Sequence, residues 1–183
     1  MPLHFTTVQT DDDLHQILDL QARNHKSNVS EEVKREQGFV TVRHSWEQIV
    51  LLHHTTPQII AKDGDRVAAY ALAMLPALGE SIPDLQPMFT LMTQIPWRGG
   101  TLSDSRYYAM GQICVAQEYR GQGTFKGLYQ KHREVYSSDF DILVTEVSLS
   151  NTRSMRAHER VGFRTLHTHR DHVDDWNVIA WEF

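Results

Sequence analysis

Residues 11–25, DDDLHQILDLQARNH, put Leu14, Ile17, Leu18 and Ala22 on one side of a 3.6-residue period, which predicts an amphipathic helix. Its three leading aspartates sit where the helix dipole favours negative charge. Ahead of it, LHFTTV (3–8) alternates as a first strand. After it, polar residues 30–37 predict a short helix, and HSWEQIVLLHH (44–54) a longer one, with Trp46, Ile49, Val50 and His53 on one side. The period then changes: PQIIAK and VAAYALAML (67–75) flank the turn residues DGDR (63–66), predicting a hairpin. Residues 76–105 break the regularity with Pro76, Pro83, Pro87, Pro96 and Gly99-Gly100. They also carry Met88, Phe89, Leu91, Met92 and Trp97, which predicts a packed functional loop with a helical turn rather than a free linker.

Regularity returns with RYYAMGQICVA (106–116) as a strand, followed by a glycine-rich turn and then Phe125, Leu128, Tyr129, His132 and Tyr136 at helical spacing. FDILVTEVSL (140–149) has the near-continuous apolar character of a buried parallel strand. NTRSMRAHERVG (151–162) reads as a helix with an Asn cap and a Gly stop, and FRTLHTHR and DWNVIAWEF close the chain as strands. This order predicts an α/β (α+β) fold: a mixed, mostly antiparallel central sheet of six to seven strands flanked by helices, in one domain over 1–183.

Composition narrows the function classes. With 40% hydrophobic residues in 183, the chain can bury a proper core. Nothing resembles a signal peptide, and no apolar run nears the ~20 residues of a membrane span, so a membrane partner is not expected. The single cysteine, Cys114, excludes an intrachain disulfide and fits a reducing, cytoplasmic setting. A net charge of −5 argues against a nucleic-acid partner.

The chemistry concentrates in VAQEYRGQGTFKGLYQKH (115–132). A helix N-terminus offers unpartnered backbone N–H groups and a partial positive charge, together a site for a pyrophosphate. Gly121 and Gly123 let the backbone approach such a ligand, Thr124 adds a hydroxyl, and Arg120 or Lys126 adds charge. Neither GxxxxGK[ST] nor a well-placed GxGxxG is present, and a plain strand-to-helix turn is the competing explanation.

Arg120, Gly121, Gln122, Gly123 and Thr124 resemble motif A of the GCN5-related N-acetyltransferases, whose pattern is Arg/Gln-x-x-Gly-x-Gly/Ala. NTRSMRAHERVGF (151–163) resembles that family's second motif, and the likeness is strong over roughly residues 106–164. The resemblance implies a sheet that splays two parallel strands, near 108–115 and 141–147. It implies acetyl-CoA as acyl donor and a primary amine of a small molecule or peptide as acceptor, acetylated by direct attack in a ternary complex. It also implies that pantetheine pairs with the backbone of Ile113, Cys114 and Val115, and that the N–H groups of Gln122 to Lys126 hold the pyrophosphate. Phe125 departs from the Gly or Ala usual there. Asn151 caps the second-motif helix and can bond the pantetheine arm. Residues 76–105 then become a substrate-side insertion, with Phe89, Met92 and Trp97 as apolar walls. Family members often pair, so a homodimer is an expectation as well.

Acyl transfer to an amine needs a base for the ammonium and a proton or hydrogen bond for the departing thiolate. Glu146 is the expected base: its stretch TEVSLSN resembles that of bacterial ribosomal-protein N-terminal acetyltransferases, where a Glu so placed is the base. A water relay near Tyr108 or Gln112 is the alternative base. His158 stands seven residues after Asn151, where the family often has a tyrosine facing the thiol, and is the expected acid. Cys114 reads as a small buried residue. His167, His169 and His172 form a His-x-His cluster without the partners of a tetrahedral set, and no metal is expected. The rival function is a catalytically degenerate acyl-CoA-binding module.

Overall fold

A computed structural model of the chain describes residues 2–37, 39–172 and 174–183. Strand β1 (His4–Thr7) leads into helix α1 (Asp11–Asn24), whose start is a capping box: Thr10 Oγ1 accepts from Asp13 N–H and the Asp13 carboxylate accepts from Thr10 N–H. Helices α2 (Glu31–Gln37) and α3 (Trp46–Thr55) follow, and Ser45 caps α3 in the same reciprocal way with Gln48. The hairpin is β2 (Ile59–Asp63) and β3 (Arg66–Met74).

Residues 76–105 are not an open loop. They form α4 (Leu78–Ser81), α5 (Gln86–Met92) and a small ribbon of β4 (Pro96–Trp97) and β5 (Gly100–Thr101). Leu78, Ile82, Phe89, Met92, Ile95 and Leu102 are all buried, which is why so proline-rich a segment is held in place. The remaining elements are β6 (Tyr107–Val115), α6 (Thr124–Tyr136), β7 (Ile142–Ser148), α7 (Thr152–Val161), β8 (Arg164–Arg170) and β9 (Asp175–Glu182).

Seven strands form one sheet in the order β1-β2-β3-β6-β7-β9-β8, with β6–β7 as its parallel pair and the other neighbours antiparallel. The mixed, mostly antiparallel sheet expected from the element order is therefore present. One face carries α1, α3 and the 76–105 elements over Tyr70, Leu72, Met74 and Val144. The other carries α6 over Tyr108, Leu143, Phe163 and Ile179. On this second face Tyr108 packs on Tyr136 and Phe140, and donates to His132 Nδ1 at 3.0 Å while His132 Nε2–H donates to the Ala71 carbonyl at 3.3 Å. Full burial of each such aromatic stabilises by about 1.5–3 kcal/mol, and its polar atoms are satisfied, so the burial is not offset.

Candidate functional site

The parallel pair is where the sheet comes apart. Pairing of β6 with β7 runs from Tyr107↔Ile142 to Ala109↔Val144 and stops. At the next step the Thr145 hydroxyl, rather than a backbone amide, donates to the Met110 carbonyl at 2.7 Å. The cause lies on the other side of β6. Leu72 pairs with Gln112 but Ala73 pairs with Met110, so Gly111 is an extra residue and the strand bulges there. A Cβ on Gly111 would lie 2.1 Å from Met74 Sδ, so the Met74 side chain packed against the bulge would have to shift for any larger residue. Bent by the bulge, β6 leaves β7, and Gln112 to Val115 carry no β7 ladder.

The far half of β6 is held from behind instead. The buried Gln112 side chain accepts at Oε1 from Gln21 Nε2 (2.8 Å) and Tyr70 Oη (2.6 Å), and donates from Nε2 to the Val42 carbonyl at 2.9 Å. Gln21 Oε1 accepts from the His44 backbone N–H at 2.8 Å. Helix α1, strand β3 and the segment 42–44 are thereby tied to the detached strand, and both side-chain polar atoms of Gln112 are spent on that task.

Beyond Val115 the chain turns through Gly121 and Gly123, at φ +74° and +80°, both in the left-handed region that suits glycine. Gly123 is the N-cap of α6 and supplies no side-chain cap, so the first-turn N–H groups of α6 are left for an outside partner. Space is open there: a Cβ on either glycine would meet nothing within 4 Å. The Thr124 hydroxyl turns inward and donates to the Tyr119 carbonyl at 2.8 Å. Arg120 braces the strand end, donating from Nε to the Val115 carbonyl (2.9 Å) and from Nη2 to Asn24 Oδ1 (2.7 Å).

These features share one cavity of about 640 Å³. Ile113, Cys114 and Val115 line one side, the turn from Arg120 to Lys126 another, and Asn151 with α7 a third. Asn151 caps α7, its Oδ1 accepting from Ser154 N–H at 3.1 Å. Cys114 is 7% exposed, and burial pushes its thiol up to about 12, so it is a packing residue and not a nucleophile.

Sequence reasoning missed part of the lining. Arg153, Arg156 and Arg160 face the cavity from α7, beside Lys126. Their i, i+3, i+7 spacing was the available signal. Asn24, Phe39 and Val40 close the remaining side, with Val40 bridged to His25 as a parallel partner. Phe39 and Val40 come from a stretch without periodicity, and nothing in the sequence announced them.

Phe125 lines the cavity, and its ring meets His158 edge-on with centroids 5.0 Å apart. His158, expected to face the thiol, is instead 1% exposed and does not line the cavity. Its Nδ1–H donates to the Ser154 carbonyl at 2.8 Å and its Nε2 accepts from the Tyr129 hydroxyl at 2.6 Å. Burial holds its imidazole down at about 4, so it is neutral and both nitrogens are occupied. Tyr108 and Gln112, the alternative relay, are likewise buried and engaged. Phe89 and Met92 belong to the core rather than to a cleft wall, and Trp97 lines a smaller opening with Asp141 and Glu182.

Glu146 is one residue past the Thr145–Met110 contact, and strand alternation puts it with Val144 on the α1 side of the sheet, outside the residues that line the 640 Å³ cavity. Burial raises its carboxyl above the usual range, and a hydrogen bond from His169, 2.9 Å from Nε2 to Oε1, partly offsets this. His167 stacks on His169 at 6.3 Å between centroids. Among the described residues, no three His, Cys, Asp or Glu side chains come together as a metal-binding group, and no helix is long and apolar enough to cross a membrane.

Comparisons agree with this geometry. A family model described as the acetyltransferase (GNAT) family matches residues 14–163. The ribosomal-protein-S18-alanine N-acetyltransferase from Escherichia coli superposes with a TM-score of 0.66 at 15% identity, over 99% of this chain and 94% of that one. The NatC complex bound to Gag peptide and CoA gives 0.66 at 13% identity, over 100% and 99%. A putative GNAT acetyltransferase from Desulfovibrio desulfuricans gives 0.63 at 16%, over 99% of both chains. No curated protein matches in sequence.

Proposed function

The chain belongs to the acetyltransferase (GNAT) family, and from that premise we propose that it transfers an acetyl group from acetyl-CoA to a primary amine of a small molecule or peptide by direct attack in a ternary complex. One observation carries the reading: an α6 N-terminus without a side-chain cap opens, through two left-handed glycines, into a 640 Å³ cavity that continues along the unpaired side of β6. That donor set fits coenzyme A. First-turn amides of α6 suit a pyrophosphate, the free ladder edge at Ile113–Val115 suits an amide-bearing arm, and Lys126, Arg153, Arg156 and Arg160 suit the remaining phosphate charge.

Bound acetyl-CoA supplies a thioester carbonyl. The residues of this chain then divide the work. Backbone N–H groups of Gln122 to Lys126 hold the diphosphate, with Gly121 and Gly123 keeping the approach open. A β6 N–H near Cys114 faces charge developing on the acyl oxygen. Arg120 positions the end of β6 through the Val115 carbonyl rather than meeting phosphate alone. Glu146 takes a proton from the acceptor ammonium, and its raised carboxyl brings its basicity closer to the amine's. We assign His158 to packing between α6 and α7, because its nitrogens are engaged within the protein. The 1–183 chain acts as one acyltransferase domain. Two neighbours, the S18-alanine acetyltransferase and the peptide-bound NatC complex, point to a peptide amine as the first acceptor to try.

Thermal unfolding with and without CoA tests the cradle, and thiol release from acetyl-CoA with free amino acids, spermidine and alanine-initiated peptides tests the transfer. Stabilisation by CoA that grows with its concentration is expected. No shift at millimolar CoA overturns the binding site. A shift without thiol release on any amine would leave an acyl-CoA-binding module.

A further inference from the structure

The protein carries a histidine pair that the reaction as drawn above does not use. His169 lies on β8 and Glu146 on β7, two strands away across β9. Through β9, Glu146 is in register with Val178, and Val178 with His167, so His167, His169 and Glu146 share the α1 face. The bulge between Thr165 and His167 sets that alignment, since it shifts the alternation of β8 by one residue. Side-chain exposure is 18% for Glu146 and 24% for His169, so their contact is largely removed from water. The His167 ring lies at 14° to the plane of His169, with the centroids 6.3 Å apart.

We propose that His169 is the positioning residue for Glu146: its Nε2–H holds Oε1 of the carboxylate, fixing the side chain so that Oε2 is left to take the proton of the acceptor ammonium. This rests on the reading of Glu146 as the proton acceptor. The step balances. One ammonium proton passes to Oε2, and the freed nitrogen pair forms the C–N bond. The C–S bond breaks with its electron pair on sulfur, which takes the second nitrogen proton, and the first goes from Glu146 to solvent.

The same contact keeps the base usable. Burial favours the neutral acid, and a neutral carboxyl accepts no proton from an ammonium. Three groups set the balance: burial itself, His169, whose hydrogen bond and charge favour the carboxylate, and Asp171, whose like charge opposes it. The β9 neighbours Val178 and Trp176 bring no charge. The arrangement inverts the usual order of a catalytic triad: the carboxylate takes the proton and the imidazole orients it.

Two substitutions separate positioning from bulk. His169→Leu keeps volume and removes the donor, and His169→Gln keeps an amide N–H near the place of Nε2. Carbon-13 labelling of the glutamate carboxyls, assigned with Glu146→Gln, follows the titration of Glu146 without any substrate. The pH profile of kcat/KM, with acetyl-CoA and an alanine-initiated peptide as probes, follows the function. In His169→Leu the Glu146 midpoint and the acidic limb of the profile should rise together. At pH 7, kcat/KM should fall at least tenfold, with KM for acetyl-CoA within twofold of the parent value. His169→Gln should recover most of the loss. A midpoint and limb that do not move in His169→Leu overturn the proposal. If the parent protein acetylates no amine, the functional reading fails by itself, and the carboxyl titration still decides the pair: an upward shift upholds it and a fixed midpoint rejects it.

Discussion

Replacing Gly111 by alanine tests the physical origin of the cleft. The residue is outside the left-handed region, so alanine meets no backbone penalty and would by itself gain about 0.4–1 kcal/mol from a less flexible unfolded chain. Against that stands the overlap. The new methyl carbon would lie 2.1 Å from Met74 Sδ and 2.2 Å from its Cε, and Met74, 1% exposed, has to change rotamer within the core to make room. Overpacking of this kind costs about 1–3 kcal/mol, so the net expectation is a loss of roughly 1–2 kcal/mol. Met74→Ala alone leaves a cavity and costs about 2–5 kcal/mol. Together the two should be less damaging than their sum, because the new methyl occupies space the thioether has vacated. A favourable coupling of about 1 kcal/mol or more is expected. Urea unfolding of the four proteins, followed by tryptophan fluorescence, measures the cycle. Since the displaced backbone is one wall of the gap, stabilisation by CoA should fall in Gly111→Ala and partly return in the double variant. Gly111→Ala as stable as the parent, with additive behaviour alongside Met74→Ala, would refute the idea that this contact holds the bulge.

Three further outcomes are expected. Gly123→Val puts a β-branched residue at φ +80° and a side chain into the open approach to α6, and should abolish CoA-dependent thermal stabilisation while the apo protein remains folded, as circular dichroism will show. Arg156→Glu with Arg160→Glu reverses charge at two exposed cavity-lining positions, so the Kd for CoA in titration calorimetry should rise at least tenfold, equivalent to about 1.4 kcal/mol, with little change in the melting temperature of the apo protein. His44 and His158 are held at about 4 and His132 at about 3 by burial, so each is neutral in the folded state and protonated in the unfolded one between those values and the ordinary 6.5. The unfolded state then binds more protons, so stability should fall as pH drops from 6.5 towards 4, by up to about 1.4 kcal/mol per pH unit for each group. His158→Phe should flatten that slope in urea titrations at several pH values and leave acetyl transfer per folded molecule near the parent rate.

Periodicity along the chain was sufficient for most of the architecture. The alternation of LHFTTV, the apolar run of FDILVTEVSL and the spacing of Leu14, Ile17 and Leu18 reflect which side of an element meets the core, and that is a local property. The glycine turn and the uncapped start of α6 were legible for the same reason, because a turn and the helix after it are consecutive in sequence. Other features were decided only by tertiary contact. Residues 76–105 read as a packed loop with Phe89 and Met92 as cleft walls, yet both are buried in the core and so stand outside any cleft. His158 read as an acid by its position on α7, but its rotamer is set by Tyr129 from α6 and by the Ser154 carbonyl one turn back. Gly111 was one letter within a strand until Met74, from another strand, gave it a reason. Glu146 acquires its partner from a histidine 23 residues later, through a bulge that shifts β8 by one residue. Sequence pattern thus determined the elements and the glycine turn before α6, which depend on neighbours along the chain. Packing across the sheet decided which polar atoms are already satisfied, and so which remain free for chemistry.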